Sequence, residues 1–348
     1  EREARQQMRS QIEELYHMLF ELQTNLRKEP EQRNNSSTPI DWKNVELLHT
    51  FSEHDSFIRS LVAFNWQQNH SKQIVASGDY DGNIKIWHLH TGELISTLTT
   101  NTQVNAIAII PDGQTLVSGN GDNSIEVWNL ASATKQVLTG HEERVLALAI
   151  SPDGHTLASG SRDHTIKLWN LDTGELSHTF TEDYGTVLAI AFSPDGQTLF
   201  SSSGDKTIRL WNLNSKEPLY DLCKHSDLLW SIAISPRGKT LVYGSHDHKI
   251  QIWCLATEDK IAKLQHTITE HSAKVWSVAI SPDGQILASG SGDKTVKLWN
   301  LSTGEQLCTL NKHSKDVYCV AFSPDGQTLV SADKDGIIKV WKPSFSTN

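Results

Sequence analysis

The chain has 348 residues, 37% of them hydrophobic, enough to bury a sizeable core. Its 31 Lys and Arg against 41 Asp and Glu leave a net charge of −10 and no long basic run. That disfavours nucleic acid as a partner, since phosphate contacts need clustered cations. No signal-peptide pattern and no apolar run of membrane-spanning length occurs. The cysteines, Cys223, Cys254, Cys308 and Cys319, show neither a Cys-x-x-Cys pair nor zinc-ligand spacing. They are expected as idle thiols of a reducing, cytoplasmic compartment, with no metal and no cofactor.

Residues 1–29 are predicted to form an amphipathic helix. Met8, Ile12, Leu15, Leu19, Leu22 and Leu26 alternate spacings of four and three, which places them on one stripe. Pro30 ends it. Tyr16, Met18 and Phe20 lie off that seam, so three readings of residues 8–26 stay open: self-association as a short coiled coil, docking elsewhere in a parent protein, or a marginal helix that frays. The chain lacks an initiator methionine and opens inside this pattern, as expected of a piece of a longer protein. Residues 30–44 follow as a linker, its first ten residues, PEQRNNSSTP, holding no apolar side chain.

From there one unit recurs. An aspartate six residues before a tryptophan appears as Asp81/Trp87, Asp122/Trp128, Asp163/Trp169, Asp205/Trp211, Asp247/Trp253, Asp293/Trp299 and Asp335/Trp341, with Trp-to-Trp steps of 41, 41, 42, 42, 46 and 42. Such a period signals a propeller or a solenoid. Each copy holds short β-branched runs such as Val145–Ile150 and Thr165–Asn170, separated by Ser-Pro-Asp-Gly and by the Asp-containing turn. Those runs have strand length, too short for helices. The copies resemble the tryptophan-aspartate (WD) repeat family, in a wording similar to its bacterial members. The resemblance covers roughly Val45 to Trp341 and implies an all-β, seven-bladed β-propeller. The dipeptide itself is Trp-Asn in four copies and Trp-His, Trp-Cys or Trp-Lys in the others, so the tryptophan carries the match.

The stretch Val45–Phe51 matches the outer-strand segments Glu93–Leu98, Glu175–Phe180 and Glu305–Leu310, whereas the last copy stops just after Trp341. The propeller is therefore expected over 45–342, with a tail at 343–348 and with the N-terminal strand completing the last blade. Closure of that kind removes exposed sheet edges.

Three letters of each copy are those of a hydrolase triad, but a triad occurs once per site and needs an exposed nucleophile. The resemblance implies instead a hydrogen-bonded tetrad in each blade: His54/Ser77/Asp81/Trp87, His141/Ser159/Asp163/Trp169, His271/Ser289/Asp293/Trp299 and His313/Ser331/Asp335/Trp341. Three copies depart from it. Blade two has Thr100 and blade four Asp183 in place of His, and blade five has Tyr243 in place of Ser. These blades are expected to be the softer part of the ring.

With the tetrads as braces, function falls to the rim. In the family, partners meet residues flanking the start of each inner strand and the residue before the turn Asp. Here these are Phe57, Arg59 and Tyr80; Gln103, Asn105 and Gly121; Arg144, Leu146 and Arg162; Thr186, Leu188 and Gly204; Leu228, Trp230 and His246; Lys274, Trp276 and Gly292; Asp316, Tyr318 and Lys334. Leu188, Leu228, Trp230, Trp276 and Tyr318 set an apolar arc opposite Arg59, Arg144 and Arg162. Such a face suits a peptide or protein loop with an apolar anchor and some acidic character. The expectation is a non-catalytic interaction scaffold, a regulatory or sensor module of a larger signalling protein or complex. The alternative is an enzyme or small-ligand sensor with a site in the central channel.

Overall fold

The computed structural model describes residues 41–66, 72–181, 185–255 and 262–344. The expected helix over 1–29, most of the linker and Asp183 lie outside the described residues. Within them, twenty-eight strands form seven four-stranded antiparallel sheets, and no α-helix occurs.

Each sheet is built by its turns. Ser151 Oγ donates to Asp153 Oδ1 at 2.5 Å and Asp153 accepts the His155 amide at 3.0 Å, while Gly154 supplies a φ of +81°. The Asp-containing turn needs a left-handed residue next. Gly82, Asn123, His164, Lys206, His248, Lys294 and Gly336 fill that place with φ between 67° and 90°. Five of the seven carry a side chain there, a strain of about 1–2 kcal/mol each.

Neighbouring blades meet at close range. A Cβ on Gly160 would stand 2.4 Å from Val187 Cγ1 of the next blade, so this middle-strand position admits almost nothing. Blade four has Ser202 there, and its hydroxyl donates across the gap to the Leu229 carbonyl at 2.9 Å. Serines of the innermost strands add further stitches: Ser60 Oγ accepts the Ile107 amide at 2.9 Å and Ser231 Oγ the Val278 amide at 3.0 Å.

Six sheets use strands consecutive in sequence, and the seventh does not. Val45–Phe51 pairs with Ile338–Pro343, from Val45 opposite Pro343 to Phe51 opposite Ile338. Phe51 then stacks on Trp87 with ring centroids 5.0 Å apart, so the last blade is seated in the core of the first. The packed body begins before the expected boundary at residue 45. Trp42, only 3% exposed, meets Phe322 edge-on at 5.4 Å, and the Ser344 amide donates to the Asn44 carbonyl at 2.9 Å. One large apolar side chain at the end of a polar segment is enough to draw residues 41–44 onto the ring.

Candidate functional site at the channel mouth

Every innermost strand has the same irregularity. Its pairing with the second strand skips one residue: Arg59, Asn105, Leu146, Leu188, Trp230, Trp276 and Tyr318 in blades one to seven. A bulge leaves its extra residue outside the ladder and re-aims the side chain. All seven side chains, with Phe57, line one cavity of about 300 Å³ at the mouth of the central channel.

The rim just outside is tied together by the main chain. The residue before each turn Asp donates its amide to the residue before each inner strand: Tyr80 to Phe57, Gly121 to Gln103, Arg162 to Arg144, Gly204 to Thr186, His246 to Leu228, Gly292 to Lys274 and Lys334 to Asp316, at 2.8–3.1 Å. Side chains add to this. Tyr80 stacks on Phe57 at 4.6 Å, Phe57 reaches Tyr318 at 5.9 Å, Tyr318 reaches Trp276 at 5.0 Å, and Trp276 reaches Trp230 at 5.6 Å. His246 stacks on Trp230 at 5.5 Å, and Lys274 Nζ lies 5.5 Å over the Trp276 ring. The aromatic arc thus runs unbroken through blades five, six, seven and one.

Of the rim residues singled out from the sequence, Phe57, Arg59, Leu188, Trp230, Trp276 and Tyr318 line the cavity, with Tyr80, His246 and Lys274 packed against them. Arg144, Arg162, Leu228, Asp316 and Lys334 are not in its lining. Asn105 and Leu146 complete the circle, a place their position after the first strand valine foretold. Two indole N–H groups, Trp230 Nε1 and Trp276 Nε1, have no partner, nor have His246 Nε2, Gln103 Nε2 and both polar atoms of Asn105.

Beneath the rim lie the braces. In blade three Trp169 Nε1 donates to Ser159 Oγ at 2.8 Å, the hydroxyl donates to His141 Nε2 at 2.7 Å, and Nδ1–H donates to Asp163 Oδ2 at 2.8 Å. Blade six repeats this with Trp299, Ser289, His271 and Asp293. Burial alone would raise the Asp163 carboxyl, but the bonds from His141, Thr165 and the Glu142 amide outweigh it and hold the group far below the ordinary carboxylate range. Ser77, Ser159, Ser289 and Ser331 are 0% exposed, so no substrate carbonyl reaches those hydroxyls. A nucleophile needs such access.

Blades one and seven correct the expected tetrads. His54 and His313 hold Asp79 and Asp333 at 2.7 Å, not Asp81 and Asp335. These blades carry Asp where blades three and six carry Ser161 and Ser291. From that deeper place the carboxylate reaches Nδ1 and still accepts the turn amides, for Asp79 those of Asp81 at 3.0 Å and Asn83 at 2.8 Å. Asp81 and Asp335 are left exposed.

The irregular blades replace what they lack. Thr100 turns aside to donate to the Thr102 carbonyl, with the Gly82 carbonyl further off at 3.2 Å, while Trp128 keeps Ser118 at 3.2 Å. In blade four Trp211 keeps Ser201 at 2.9 Å and Arg209 holds Asp205 at 2.5 Å. In blade five Gln251 Oε1 accepts from Trp253 Nε1 at 3.1 Å and from the Tyr243 hydroxyl, and burial drives the Tyr243 phenol well above its ordinary range. Burial likewise pushes the Cys319 thiol up to about 12 and Cys308 up to about 11, leaving both unreactive near neutrality. Among the described residues no group of three or more His, Cys, Asp or Glu could hold a metal, and no helix is long and apolar enough to cross a membrane.

Seven braced four-stranded blades around a lined channel define a repeat β-propeller. Residues 38–264 match the IFT122 first beta-propeller family, and residues 262–300 and 304–342 each match the WD domain, G-beta repeat. The chain belongs to the WD-repeat β-propeller family. No curated protein was found to match it.

Proposed function

We propose that this propeller is a non-catalytic platform that binds a peptide or protein loop across the channel mouth, as a regulatory or sensor module of a larger signalling protein or complex. WD-repeat propellers are generally protein-interaction scaffolds, and the regular copies resemble those of bacterial members whose propellers sit beside signalling domains. The observation that carries the reading is the aromatic arc. Trp230 and Trp276 are half-buried, leave their indole N–H groups unpartnered and face a cavity, the arrangement of a binding hot spot. The ring itself does not require them, because the same bulge position is Leu146 or Asn105 elsewhere.

The test is a random-peptide display selection on the immobilised wild-type chain, repeated with Trp230→Ala/Trp276→Ala. Peptides enriched on the wild type are expected to lose binding to the double variant, whose fold is checked by its denaturation midpoint. Unchanged binding to a folded double variant refutes the reading.

A further inference from the structure

The mouth is uneven in chemistry. Round the ring, Arg59 and Asn105 make a polar sector, Leu146 and Leu188 an aliphatic one, and Trp230, Trp276 and Tyr318 an aromatic one. Among the described residues Arg59 is the only charged side chain in the lining. It is half-buried and has neither hydrogen bond nor ion pair. Burial lowers its hold on the proton, against the opposing pull of Cys319, Tyr318 and Tyr80, and a guanidinium stays charged under all ordinary conditions. A cation so placed has given up water without gaining a counter-charge. In the next blade Asn105, 5% exposed, leaves both Oδ1 and Nδ2 unpartnered. Buried polar groups nearly always find partners, so Nδ2 points to an acceptor that arrives with a ligand, while Oδ1 calls for a donor.

We infer that the mouth reads an acidic side chain of a partner peptide, its carboxylate on Arg59 and Asn105 and a neighbouring apolar side chain on the leucine and tryptophan sectors. This rests on the reading of the mouth as a peptide site and adds the chemistry it selects. One guanidinium balances one negative charge, which suits a carboxylate better than a phosphate near −2. The rim also runs against the chain as a whole. Its flanking positions hold Arg144, Arg162, Lys274 and Lys334 against the single acid Asp316, in a protein of net charge −10. Cations beyond the pocket favour an acid inside an acidic segment over a lone chain terminus.

The test uses the full chain and short Gly/Ser peptides, capped at both ends, that carry one Leu or Phe and one Glu at varied spacing, read by fluorescence anisotropy. Partner sets replace Glu by Gln or phosphoserine, or leave an uncapped C-terminus as the sole acid, and free succinate is tried as competitor. Glu peptides are expected to bind about tenfold or more tighter than their Gln counterparts, the worth of one charge-assisted pair. That preference should vanish in Arg59→Gln, persist in part in Arg59→Lys, and turn towards Lys-bearing peptides in Arg59→Glu. Failure of Arg59→Gln to fold leaves Arg59→Lys and the charge reversal to decide. Equal binding of Glu and Gln peptides, with both lost in Trp230→Ala/Trp276→Ala, overturns this inference and keeps the peptide site. Preference for phosphoserine or for the free C-terminus, or displacement by succinate as strong as by peptide, also overturns it. Binding that ignores the double tryptophan variant, or no binding by any peptide, removes the peptide-site reading as well.

Discussion

Blade one offers a paired test of which aspartate braces the sheet. Asp79 is 0% exposed and accepts from His54 Nδ1 at 2.7 Å, from the Asp81 amide at 3.0 Å and from the Asn83 amide at 2.8 Å. Asp79→Ala strands the buried imidazole donor, at about 1–3 kcal/mol, and removes the acceptor of two turn amides that lie closer to water, at about 1 kcal/mol together. A loss of about 2–4 kcal/mol results. With a urea slope near 3 kcal/mol per molar, the unfolding midpoint falls by about 1 M. Asp81→Ala removes an exposed carboxylate and is expected to stay within about 0.5 kcal/mol. In blade three the roles exchange, so Asp163→Ala should be as costly as Asp79→Ala. Urea titrations give the totals, and amide hydrogen exchange over Ile58–Asn65 and Gln73–Asp79 gives the local effect. Equal destabilisation by Asp79→Ala and Asp81→Ala would refute the assignment.

Ring closure is tested by Phe51→Ala, which empties the seat beside Trp87 and should cost about 3–5 kcal/mol. Removal of residues 1–51 should give aggregates by light scattering, whereas removal of 1–38 leaves soluble protein; like behaviour of the two contradicts the closing strand. Gly160→Ala places a methyl 2.4 Å from Val187 Cγ1 and should cost about 1–3 kcal/mol of stability, read as a lower urea midpoint, and an unchanged midpoint would show that the blades part freely. The carboxyls of Asp79, Asp163 and Asp293 lie below their ordinary range, with Asp247 at about 2. The unfolded chain therefore binds more protons, and this stability is present above about pH 4 and lost as pH falls below it. His225 and His246, lowered chiefly by burial, start a shallower loss below about pH 6.5. Denaturant midpoints flat from neutrality to pH 3 would exclude both effects.

The number of blades and the spare outer strand were legible because they depend on spacing and on a copy that stops early. Rim positions were legible too, since they keep fixed offsets from the apolar residue that opens each inner strand, Val in five blades, Ile58 and Leu229 in the others. Choice among nearby aspartates was not. Asp79 and Asp81 lie two residues apart, as do Asp333 and Asp335, and only the depth of each side chain decides which meets the imidazole. Gln251 was not legible because it replaces Ser from the neighbouring strand, at an offset where the other copies carry Lys, Glu or Arg. Trp42 was hidden within a polar linker, where composition outweighed one apolar anchor.

The seven bulged residues have one consequence for how this molecule can change. Because each stands outside its ladder, replacing it leaves every strand-to-strand amide bond in place, so what the mouth touches and what keeps the ring closed are set by separate letters of the sequence. Selectivity can therefore drift at Arg59, Trp230 or Trp276, which are only half-buried, with little penalty in folding, whereas drift one residue earlier, at Ile58, Leu229 or Val275, falls on side chains wholly buried between blades.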